Sequence, residues 1–543
     1  MSIKESSFRE RAFNYICDKA SHKSLLKPYY VFLLLLLFSR KSYAQNFLGI
    51  SSSNYGGIHG VLLNPANAVD SRYKVHINLA AAGLEIQNNY ARWNAPFSLL
   101  SLSAGTVAQK YRSPITGLPL WKAEYYKRTG VSKVKAYINS EVRGPAIQFS
   151  SPRWGIGVAA GVRFRLLNSF GNTSPNMGTA ILTGTKNPIL HSTNFEDETF
   201  MLNVGAYNEM YLSLAKVIRE ENEDFLKVGF TVKRITSNLN LNLRGDEVDY
   251  LIDPIPPSNE YQNIEVAKTS GTFFHASADT PPSFSWMLNQ MTSISGVGNG
   301  FGADIGFVYE KRPNYSRERF KYKGSYVPDP RINKYAYKFG VSLQDIGFVK
   351  FADPQNVQVG TVESTDDFIP PATFYHLNST NELIGDIEEV YDIDQTTYLR
   401  SFRVFMPATL VIHGDYLIRE GFYISGVLRQ YVLGKKKIGP VGFSGISVIP
   451  RFERQHIEFS FPVSLDQDYA NFNLGATMRA GPLFLGFDNI TGLINLGNPR
   501  GLSVHAGLSW GFNHKLAENA MLECPEPQRT KGFSLREFFK KKR

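Results

Sequence analysis

Several polar side chains late in the chain are of types that could carry out acid–base chemistry. His413 and Asp415 lie two residues apart, as do His456 and Glu458, and His505 follows further on. Residues two apart in a strand point to the same face. These side chains could therefore face one compartment, but catalysis would need a second group held within hydrogen-bond reach. The spacing does not require such a group, and an enzyme remains the weakest of three functional hypotheses.

The known signatures of metal, nucleophile and phosphate chemistry do not occur in this sequence. The ten histidines include no HExxH pair and no i, i+4 pair, and there is no Gly-x-Ser-x-Gly elbow. The glycine run 296–302 precedes a predicted strand from Ala303 to Tyr309, whereas a phosphate cradle needs a helix at that point. We interpret the run as a flexible turn, with a site of close backbone packing as the alternative. We predict no catalytic residue, no metal site and no cofactor.

The first 44 residues have the order of a secretory signal peptide. A basic stretch precedes the apolar run from Tyr29 to Phe38, and the small residues Ser42 and Ala44 precede Gln45. The run is too short for a membrane-spanning helix, which needs about 20 residues. We predict cleavage between Ala44 and Gln45, with an uncleaved N-terminal anchor as the alternative. Cleavage removes Cys17 and leaves Cys524, so the mature chain forms no internal disulfide.

The positive charge is concentrated at the two ends of the chain. The formal net charge is +11, and it falls to +6 when residues 1–44 are removed. Residues 513–543 carry eight basic and four acidic side chains, which leaves about +2 for the body between them. A nucleic-acid-binding protein would concentrate basic residues on one face of its folded body. We therefore exclude nucleic acid as a partner.

The body, residues 45–512, alternates apolar and polar residues with a period of two. In the segment 457–465, Ile457, Phe459, Phe461, Val463 and Leu465 alternate with polar residues and one proline. Such runs extend over nine to eleven residues, longer than the usual strand of a soluble sandwich. This length is typical of transmembrane barrels, in which apolar side chains face lipid. We predict an all-β, antiparallel transmembrane barrel of about 14 strands (range 12–16) in the outer membrane, with lipid as its partner.

The polar positions of these strands should face the lumen of the barrel. The charged candidates are Arg163, Arg165, Lys227, Lys233, Asp304, Asp415, Glu458 and Arg479. Three long polar segments, 171–206, 246–300 and 352–400, are predicted to form external loops or a plug. Within the second, apolar residues at 284, 287, 288 and 291 predict one short amphipathic helix. That helix would either pack on its own loop or enter the lumen.

The final segment, residues 513–543, is predicted to lie in the periplasm because an even strand number places both ends on the same side. Leu535, Phe538 and Phe539 would share one face of a short helix, and a basic cluster follows them. That combination suits anionic headgroups or a periplasmic or envelope protein partner. The alternative is a frayed, solvated tail.

Several short motifs occur in the same order as in one family of membrane proteins. The chain resembles an uncharacterised family of outer-membrane β-barrels of Bacteroidetes-type bacteria, a domain of unknown function distantly similar to fatty-acid transporters and to barrels of a gliding-associated secretion apparatus. The motifs are Asn64-Pro65-Ala66-Asn67, 302–306 (GADIG), 343–347 (LQDIG), 406–410 (MPATL), Phe461-Pro462-Val463, Gly481-Pro482-Leu483 and Asp488-Asn489. The resemblance implies a barrel in a membrane, but it implies no substrate and no binding residue.

Three hypotheses follow for the function. The first is passive transport of a small or hydrophobic solute through the barrel. The second is a non-enzymatic accessory or structural barrel of a secretion or envelope assembly, which would have a filled lumen and a protein partner. The third is the outer-membrane enzyme considered above.

Overall fold

The structure is a computed structural model that describes most of the region between residues 47 and 514. The segments outside this description are 115–116, 120–122, 184–186, 192, 222, 254–263, 279–283, 315–318, 323–324, 370–378, 433–436, 441, 443, 467 and 498. The predicted signal peptide, residues 1–44, and almost all of the tail, 513–543, also lie outside the described residues.

The described body is a closed antiparallel β-barrel, which confirms the predicted fold class. The first strand, β1, pairs with β4 on one side and with the last strand, β23, on the other, so the sheet closes on itself. Fourteen strands surround the lumen, as predicted. The strand bounds are β1 Tyr73–Asn88, β2 Ala91–Trp93, β3 Tyr126–Arg128, β4 Val134–Ser151, β5 Ile156–Thr173, β6 Phe195–Glu221, β7 Asp224–Ile252, β8 Ile264–Ser277, β9 Gly298–Lys311, β10 Arg319–Tyr322, β11 Ser325–Pro328, β12 Tyr337–Ala352, β13 Val357–Ile369, β14 Ser401–Phe405, β15 Thr409–Arg419, β16 Phe422–Tyr431, β17 Gly445–Glu453, β18 Ile457–Ser460, β19 Val463–Asp466, β20 Asn471–Leu474, β21 Ala476–Ala480, β22 Leu483–Asn489 and β23 Gly501–Asn513.

Some of these segments are parts of one barrel strand. β14 and β15 pair with successive parts of β12. Likewise, β18 with β19 and β20 with β21 form two interrupted strands between β17 and β22. β8 and β13 pair with each other. The first part of β7, Asp224–Ser237, pairs with β9, and its later part, Leu239–Ile252, pairs with β8. The pairs β2–β3 and β10–β11 form small separate hairpins.

The two ends of the barrel differ in their connections. We call the end where β1 begins and β23 ends the terminus end, and most of its connections are short turns, such as 152–155 and 420–421. The opposite end, the loop end, carries longer connections. The prediction that 171–206, 246–300 and 352–400 are loops is wrong in part, because β6 and β7, of 27 and 29 residues, and the β8–β13 pair extend far into these segments.

The polarity of the barrel wall is the inverse of that of a soluble protein. Outward side chains such as Leu214, Ile305 and Phe512 are large, apolar and exposed. Inward neighbours such as Ser213 and Asp304 are buried and polar. Because side chains alternate across a strand, the period of two read from the sequence corresponds to an apolar exterior and a polar interior.

The predicted amphipathic helix is confirmed, but it lies outside the barrel rather than in the lumen. Trp286 packs edge-on against Phe164 at 5.9 Å between ring centroids, and Phe164 alternates with the inward Arg163 and Arg165. The helix bounds are α1 Leu48–Ser51, α2 Ile58–Val61, α3 Leu99–Ser103, α4 Pro175–Thr183, α5 Phe284–Thr292, α6 Thr380–Val390 and α7 Thr491–Ile494. None of the helices described is long and apolar enough to cross a membrane.

The glycine run before β9 is part of the strand rather than a turn before it. β9 begins at Gly298, and a Cβ atom at Gly300 would lie 2.0 Å from the carbonyl oxygen of Phe348 on β12. The glycines therefore let two strands approach each other closely, which agrees with close backbone packing, the alternative to a flexible turn.

We expect Gly300→Ala to destabilise the barrel by about 1–3 kcal/mol, because the new methyl group meets backbone that has little room to move. The matched control is Gly426→Ala on β16, where a Cβ atom has nothing within 4 Å. There we expect no loss, or a gain of about 0.5–1 kcal/mol from reduced chain entropy. Denaturant unfolding in detergent micelles measures both, and equal effects would contradict the close contact at Gly300.

Candidate functional site

The lumen contains the first described segment of the chain, residues 47–71, which we call the plug. It consists of the short helices α1 and α2 followed by a 3₁₀ turn at Pro65–Ala68. Asn64 caps this turn, because its Oδ1 accepts the N–H of Ala66 at 3.0 Å and Pro65 fixes the first position. No period of two runs through this segment, so the sequence analysis did not identify it as a structural element.

Glycines on the inner wall make room for the plug. A Cβ atom at Gly157 of β5 would lie 2.2 Å from the carbonyl oxygen of Ala68, and one at Gly229 of β7 would lie 2.3 Å from the nitrogen of Ala66. At Gly306 of β9, a Cβ atom would lie 2.3 Å from Oδ1 of Asn64. Three strands of one side of the wall, β5, β7 and β9, therefore lack side chains where the plug touches them.

Asn64 connects the plug to two strands of the wall. Its Nδ2 donates to the carbonyl oxygens of Phe307 and Val341, at 3.1 and 3.2 Å, and lies 3.1 Å from Nε2 of His413. Asn64 is completely buried. Each buried hydrogen bond that is lost would leave a polar group without a partner, which costs about 1–3 kcal/mol.

Polar side chains of the wall also bind the plug backbone. Ser342 donates to the carbonyl oxygen of Leu63 at 3.0 Å. Gln344, two residues further along β12, donates to the carbonyl oxygens of Leu62 and Leu63 at 3.0 and 2.5 Å. These bonds provide partners for the carbonyl groups just after α2. Such partners are needed because buried backbone polar groups cannot bind water.

One group of buried charges lies on β5, β6 and β12. Glu209 is inaccessible to solvent and accepts hydrogen bonds from both Arg163, at 2.5 Å, and Arg165. Asp345 forms ion pairs with the same two arginines at 3.4 and 2.7 Å, and with Lys233 at 2.6 Å. The interior therefore holds these charges in a shared network, which is how proteins tolerate buried ions.

The network continues along β4, β7 and β9. Lys233 also pairs with Asp304 at 2.6 Å, and the backbone N–H of Asp345 donates to Asp304 at 2.7 Å. Arg143 on β4 pairs with Glu141 at 2.7 Å and donates to Nδ1 of His59 on the plug at 2.9 Å. His59 is completely buried, and this burial together with the neighbouring Arg143 holds its pKa well below the usual range. His59 is therefore a neutral acceptor for Arg143.

A second group of charges holds the plug at the terminus end. Asp70, at the end of the plug, pairs with Arg312 at 2.5 Å and with Lys334 at 3.0 Å. Arg312 also binds Glu310 at 2.5 Å, and Glu310 binds Lys227 at 3.0 Å. Asp70 lies just before β1, Arg312 and Lys334 lie between β9 and β12, and Glu310 and Lys227 lie on β9 and β7.

The pKa values at this second group follow from burial and charge. Burial alone would raise the pKa of Asp70, but Arg312 and Lys334 outweigh it and hold that pKa well below its usual range. Burial lowers the pKa of Lys334 to about 8, against the opposing effect of Asp70. Asp70 is therefore ionised at neutral pH when the plug is in place.

A third group of charges binds the start of the plug. Ser53 donates to Glu458 at 2.7 Å, and Arg479 pairs with the same carboxylate at 3.1 Å. Asn54 donates to Glu453 at 2.5 Å through its side chain and at 3.1 Å through its backbone. The carboxylates of the wall thus accept donors from the plug directly.

Asp415 belongs to the same region of the wall. It pairs with Arg451 at 2.8 Å and accepts the hydroxyl proton of Tyr335 at 2.5 Å. The same hydroxyl oxygen lies 2.8 Å from Oδ1 of Asn54 of the plug. The plug therefore touches this ion pair through a shared tyrosine.

Two cavities formed by the described residues lie beside the plug. The larger, which we call the vestibule, offers about 150 Å³ to water-sized occupants and opens towards the loop end, where Pro440 and Gly442 line it. The plug residues that line it are Leu48, Ser51, Leu62 and Leu63, and its charged lining residues are Glu85, Glu141, Arg143, Arg163, Arg165, Asp345, Arg429 and Asp466. The smaller cavity, which we call the lower cavity, has a volume of about 50 Å³ and is lined by Asn54, Asp70, Lys334, Asp415 and others.

The plug separates these cavities. Ser51 and Leu63 line both the vestibule and the lower cavity, so residues of the plug form the partition. A solute entering from the loop end would meet a polar chamber with a floor made by the plug. Continuous passage would require the plug to move.

The structure places the six candidate lumen residues of the sequence analysis in the interior. Arg163, Arg165, Asp304, Asp415, Glu458 and Arg479 are all buried on inward-facing positions and all lie in the ion pairs described above. The structure does not gather them at one centre, because Arg163, Arg165 and Asp304 belong to the first group and the other three lie near the start of the plug. Ala44 and Gln45 lie outside the described residues.

The residues considered for acid–base chemistry are separated or engaged elsewhere. His413 contacts Asn64, Asp415 and Glu458 are ion-paired, and His456 lies exposed in a turn. His505 lies 3.6 Å from Asp488. Among the described residues, no group of three or more His, Cys, Asp or Glu side chains could hold a metal ion.

We expect Glu209→Gln to destabilise the barrel by about 3–5 kcal/mol, because it leaves Arg163 and Arg165 buried with less compensating charge. The matched control is Glu221→Gln at the end of β6, where the carboxylate is 69% exposed and pairs with Arg219. That change should cost about 0–1 kcal/mol. Denaturant unfolding measures both variants, and a loss at Glu209 no larger than at Glu221 would contradict the buried network.

We also expect acid to weaken the attachment of the plug through Asp70. Because the folded pKa is below the unfolded value of about 3.9, ionised Asp70 stabilises the fold above that pH, and its contribution disappears as the pH falls through the folded pKa. Asp70→Asn suits the test, since φ at this position is +58° and asparagine tolerates that region. The stability difference between wild type and variant should reach its full size at about pH 5 and shrink below about pH 4.

Exposed Asp246→Asn, 47% accessible, serves as the control for this pH profile and should give a much smaller difference. A difference at Asp70 that persisted unchanged at the lowest pH would contradict the ion pairs.

The chain is similar over most of its length to several proteins of known structure. The toluene transporter TbuX of Ralstonia pickettii is 8% identical, with 85% of this chain and 95% of that chain covered and a TM-score of 0.34. The toluene transporter TodX of Pseudomonas putida is 10% identical, with 86% and 98% covered and a TM-score of 0.34. A FadL homologue of Pseudomonas aeruginosa is 10% identical, with 87% and 100% covered and a TM-score of 0.24. At these TM-scores the likeness supports no argument about function.

The comparisons of sequence establish a family for the chain but no activity. None of the curated proteins compared with the chain matches it. The model of a family of unknown function, DUF5723, matches residues 65–488, from Pro65 of the plug to Asp488 of β22. Because that match covers most of the chain, the protein belongs to this family of unknown function.

Proposed function

We propose that the protein is a passive transport barrel of the outer membrane that admits a small solute when the plug moves. The observation that carries this proposal is the vestibule, a chamber that opens towards the loop end and has a floor made by a non-covalently held segment. A barrel wall with an apolar exterior suits insertion in a lipid bilayer, because closure leaves no unpaired sheet edge. Lipid would therefore surround the wall.

The lining of the vestibule supports a polar solute over a hydrophobic one. Arginines and carboxylates dominate its charged surface, and Asn139, Gln344, Thr409 and Ser447 add uncharged polar groups. A hydrophobic solute would displace water from these groups without replacing its hydrogen bonds, which is unfavourable. We therefore propose that the solute is small and polar.

The attachment of the plug supports a closed resting state. The plug is bound through Asn64 in the middle, Asp70 at its end and Ser53 and Asn54 near its start. Such a filled lumen also favours the second candidate function, an accessory or structural barrel that conducts nothing and binds a protein partner. The predicted contact through residues 513–543 belongs to that alternative. Conductance separates the two.

We expect Asn64→Ala to raise the open probability of single channels in planar bilayers at least several-fold. The change removes two hydrogen bonds to the wall and the cap of the plug's own 3₁₀ turn. The matched control is Asn67→Ala, because Asn67 donates to Gly60 within the plug rather than to the wall. Single-channel recording of wild type and both variants measures the effect.

Wild type should show rare openings, Asn67→Ala should resemble it, and Asn64→Ala should open more often. Silence of all three folded, reconstituted proteins would contradict the transport proposal and favour the structural barrel. Co-purification with an envelope protein that depends on residues 513–543 would then be the next measurement.

A further inference from the structure

Four basic side chains lie on the outer face of the wall near the loop end, and we call them the basic belt. They are Arg234 of β7, Lys350 of β12, Arg403 of β14 and Lys437, which follows β16. The strand neighbours Ile235, Val349 and Phe402 of the first three are buried in one apolar cluster inside the barrel. Because side chains alternate across a strand, these three basic side chains point outwards. Lys350, Arg403 and Lys437 are exposed, and Arg234 is half-buried.

A phenylalanine ring lies under three of these cations. The distances from cation to ring centroid are 5.0 Å for Arg234 and Phe301, 5.3 Å for Arg403 and Phe348, and 4.3 Å for Lys437 and Phe405. The three rings form one row on the outer face, because Phe348 pairs with Phe301 on one side and with Phe405 on the other. Such contacts hold a charged group beside an apolar surface. Rows of outward aromatic rings mark the membrane–water interface of barrels.

The other border of the apolar exterior lies at the terminus end. There Tyr337 of β12 and Tyr416 of β15 are exposed cross-strand neighbours. Tyr337 and Phe348 are eleven positions apart on β12. At about 3.4 Å per residue and a strand tilt of about 40°, they are separated by about 28 Å along the barrel axis. Outward residues between them, such as Phe339 and Ile346, are apolar. This height is close to the apolar band of about 25 Å in outer-membrane barrels, so the basic belt lies at the level of the lipid head groups.

Two members of the basic belt lie directly opposite each other. Lys350 pairs with Arg403 in the ladder between β12 and β14. The Cβ atoms of such partners are about 4.5–5.5 Å apart, and like charges at that separation destabilise a sheet. None of the four cations forms an ion pair with a described residue. Asp353, the carboxylate nearest to Lys350 in the sequence, accepts the backbone N–H groups of Gln355 and Asn356 instead. An anion from outside the chain would relieve this repulsion.

The other two members of the belt flank this pair. The guanidinium of Arg234 donates to Oδ1 of Asn299 at 2.7 Å, and Asn299 lies opposite Lys350 on the other side of β12. Lys437 lies beyond Arg403, where the carbonyl group of the next residue accepts the N–H of Phe405 at 2.9 Å. The belt therefore surrounds Lys350 and Arg403 with further positive charge, directly above the row of exposed rings.

We propose that the basic belt binds the phosphate head group of an anionic lipid, whose acyl chains cover the phenylalanine row and the apolar wall below it. Lys350 and Arg403 contact the phosphate oxygens, and a guanidinium can bind two of them at once. A lipid suits this surface better than a free anion, because one molecule covers the exposed rings and compensates the cations above them. The proposal rests on insertion of the barrel in a bilayer, which is part of the proposed function, but not on transport through it.

Native mass spectrometry of the barrel, released from detergent micelles, tests this proposal by counting bound lipids. Dioleoyl phosphatidic acid carries a phosphate monoester, whereas dioleoyl phosphatidylcholine has the same acyl chains and no net charge. We expect the first molecule of phosphatidic acid to bind wild type at least about tenfold more tightly than phosphatidylcholine. Equal affinity for the two lipids would overturn the proposal.

Substitutions locate the site on the wall. Lys350→Gln combined with Arg403→Gln should weaken binding of phosphatidic acid at least about tenfold, because each cation near a charged lipid surface contributes to affinity. The matched control is Lys135→Gln combined with Arg244→Gln, which removes the same charge from two exposed cations that are ion-paired at 2.9 and 2.7 Å. That control should bind as wild type does. An unchanged affinity in the Lys350 and Arg403 double variant would overturn the assignment.

Two further measurements separate folding, charge and the source of the phosphate. Lys350→Arg combined with Arg403→Lys keeps both charges and should retain binding, whereas a loss there as large as in the glutamine variant would contradict a site based on charge. Inorganic phosphate in large excess should leave the lipid bound, and displacement by it would show a site for a free anion and overturn the proposal. A barrel that inserts in vesicles but does not prefer phosphatidic acid contradicts this proposal alone, whereas a barrel that fails to insert contradicts the proposed function as well.

Discussion

The structure depends on one constraint: a closed sheet with an apolar exterior has to place its polar side chains inside, where they must pair. Buried ions without partners cost several kcal/mol each. Glu209 meets this requirement by accepting from two arginines at once, and Asp345 does so by joining Arg163, Arg165 and Lys233. The interior therefore holds its charges in groups of ion pairs around the plug.

The plug also provides partners for polar groups of the wall. Carboxylates and carbonyl groups that the wall does not satisfy find their partners on residues 47–71, as Glu458 does with Ser53 and as the carbonyl group of Phe307 does with Asn64. The wall in turn leaves out side chains at Gly157, Gly229 and Gly306, where the plug approaches. Plug and wall are thus complementary in both shape and charge, and movement of one would disturb the other.

The fold could be predicted from the sequence because strand alternation is a local property. A period of two in segments such as 457–465 was sufficient for the fold class, the length of the body gave the strand number of about 14, and the spacing at 284–291 was sufficient for α5. Charged residues on the polar face of each strand could likewise be named in advance. Their pairing could not, because Arg163 and Asp345 are 182 positions apart and only barrel closure brings them together.

The plug was missed for a related reason. Its helices are four residues long and have no measurable period, and its contacts reach positions such as Phe307, 243 residues away. One available signal was the motif Asn64-Pro65-Ala66-Asn67, since asparagine before proline favours a capped turn. The residue types of this motif, however, do not show whether the turn lies inside a barrel or in an external loop.

Hydrogen–deuterium exchange of the purified barrel tests most directly whether residues 47–69 form part of the packed interior. The account predicts that amides such as those of Leu48, Ala66 and Asn67 exchange as slowly as amides of the neighbouring wall strands, because they donate to buried acceptors. The backbone of the exposed loop-end segment 394–397 should exchange much faster. Exchange of residues 47–69 at the rate of that segment would show that the plug is not held in the lumen and would contradict the account.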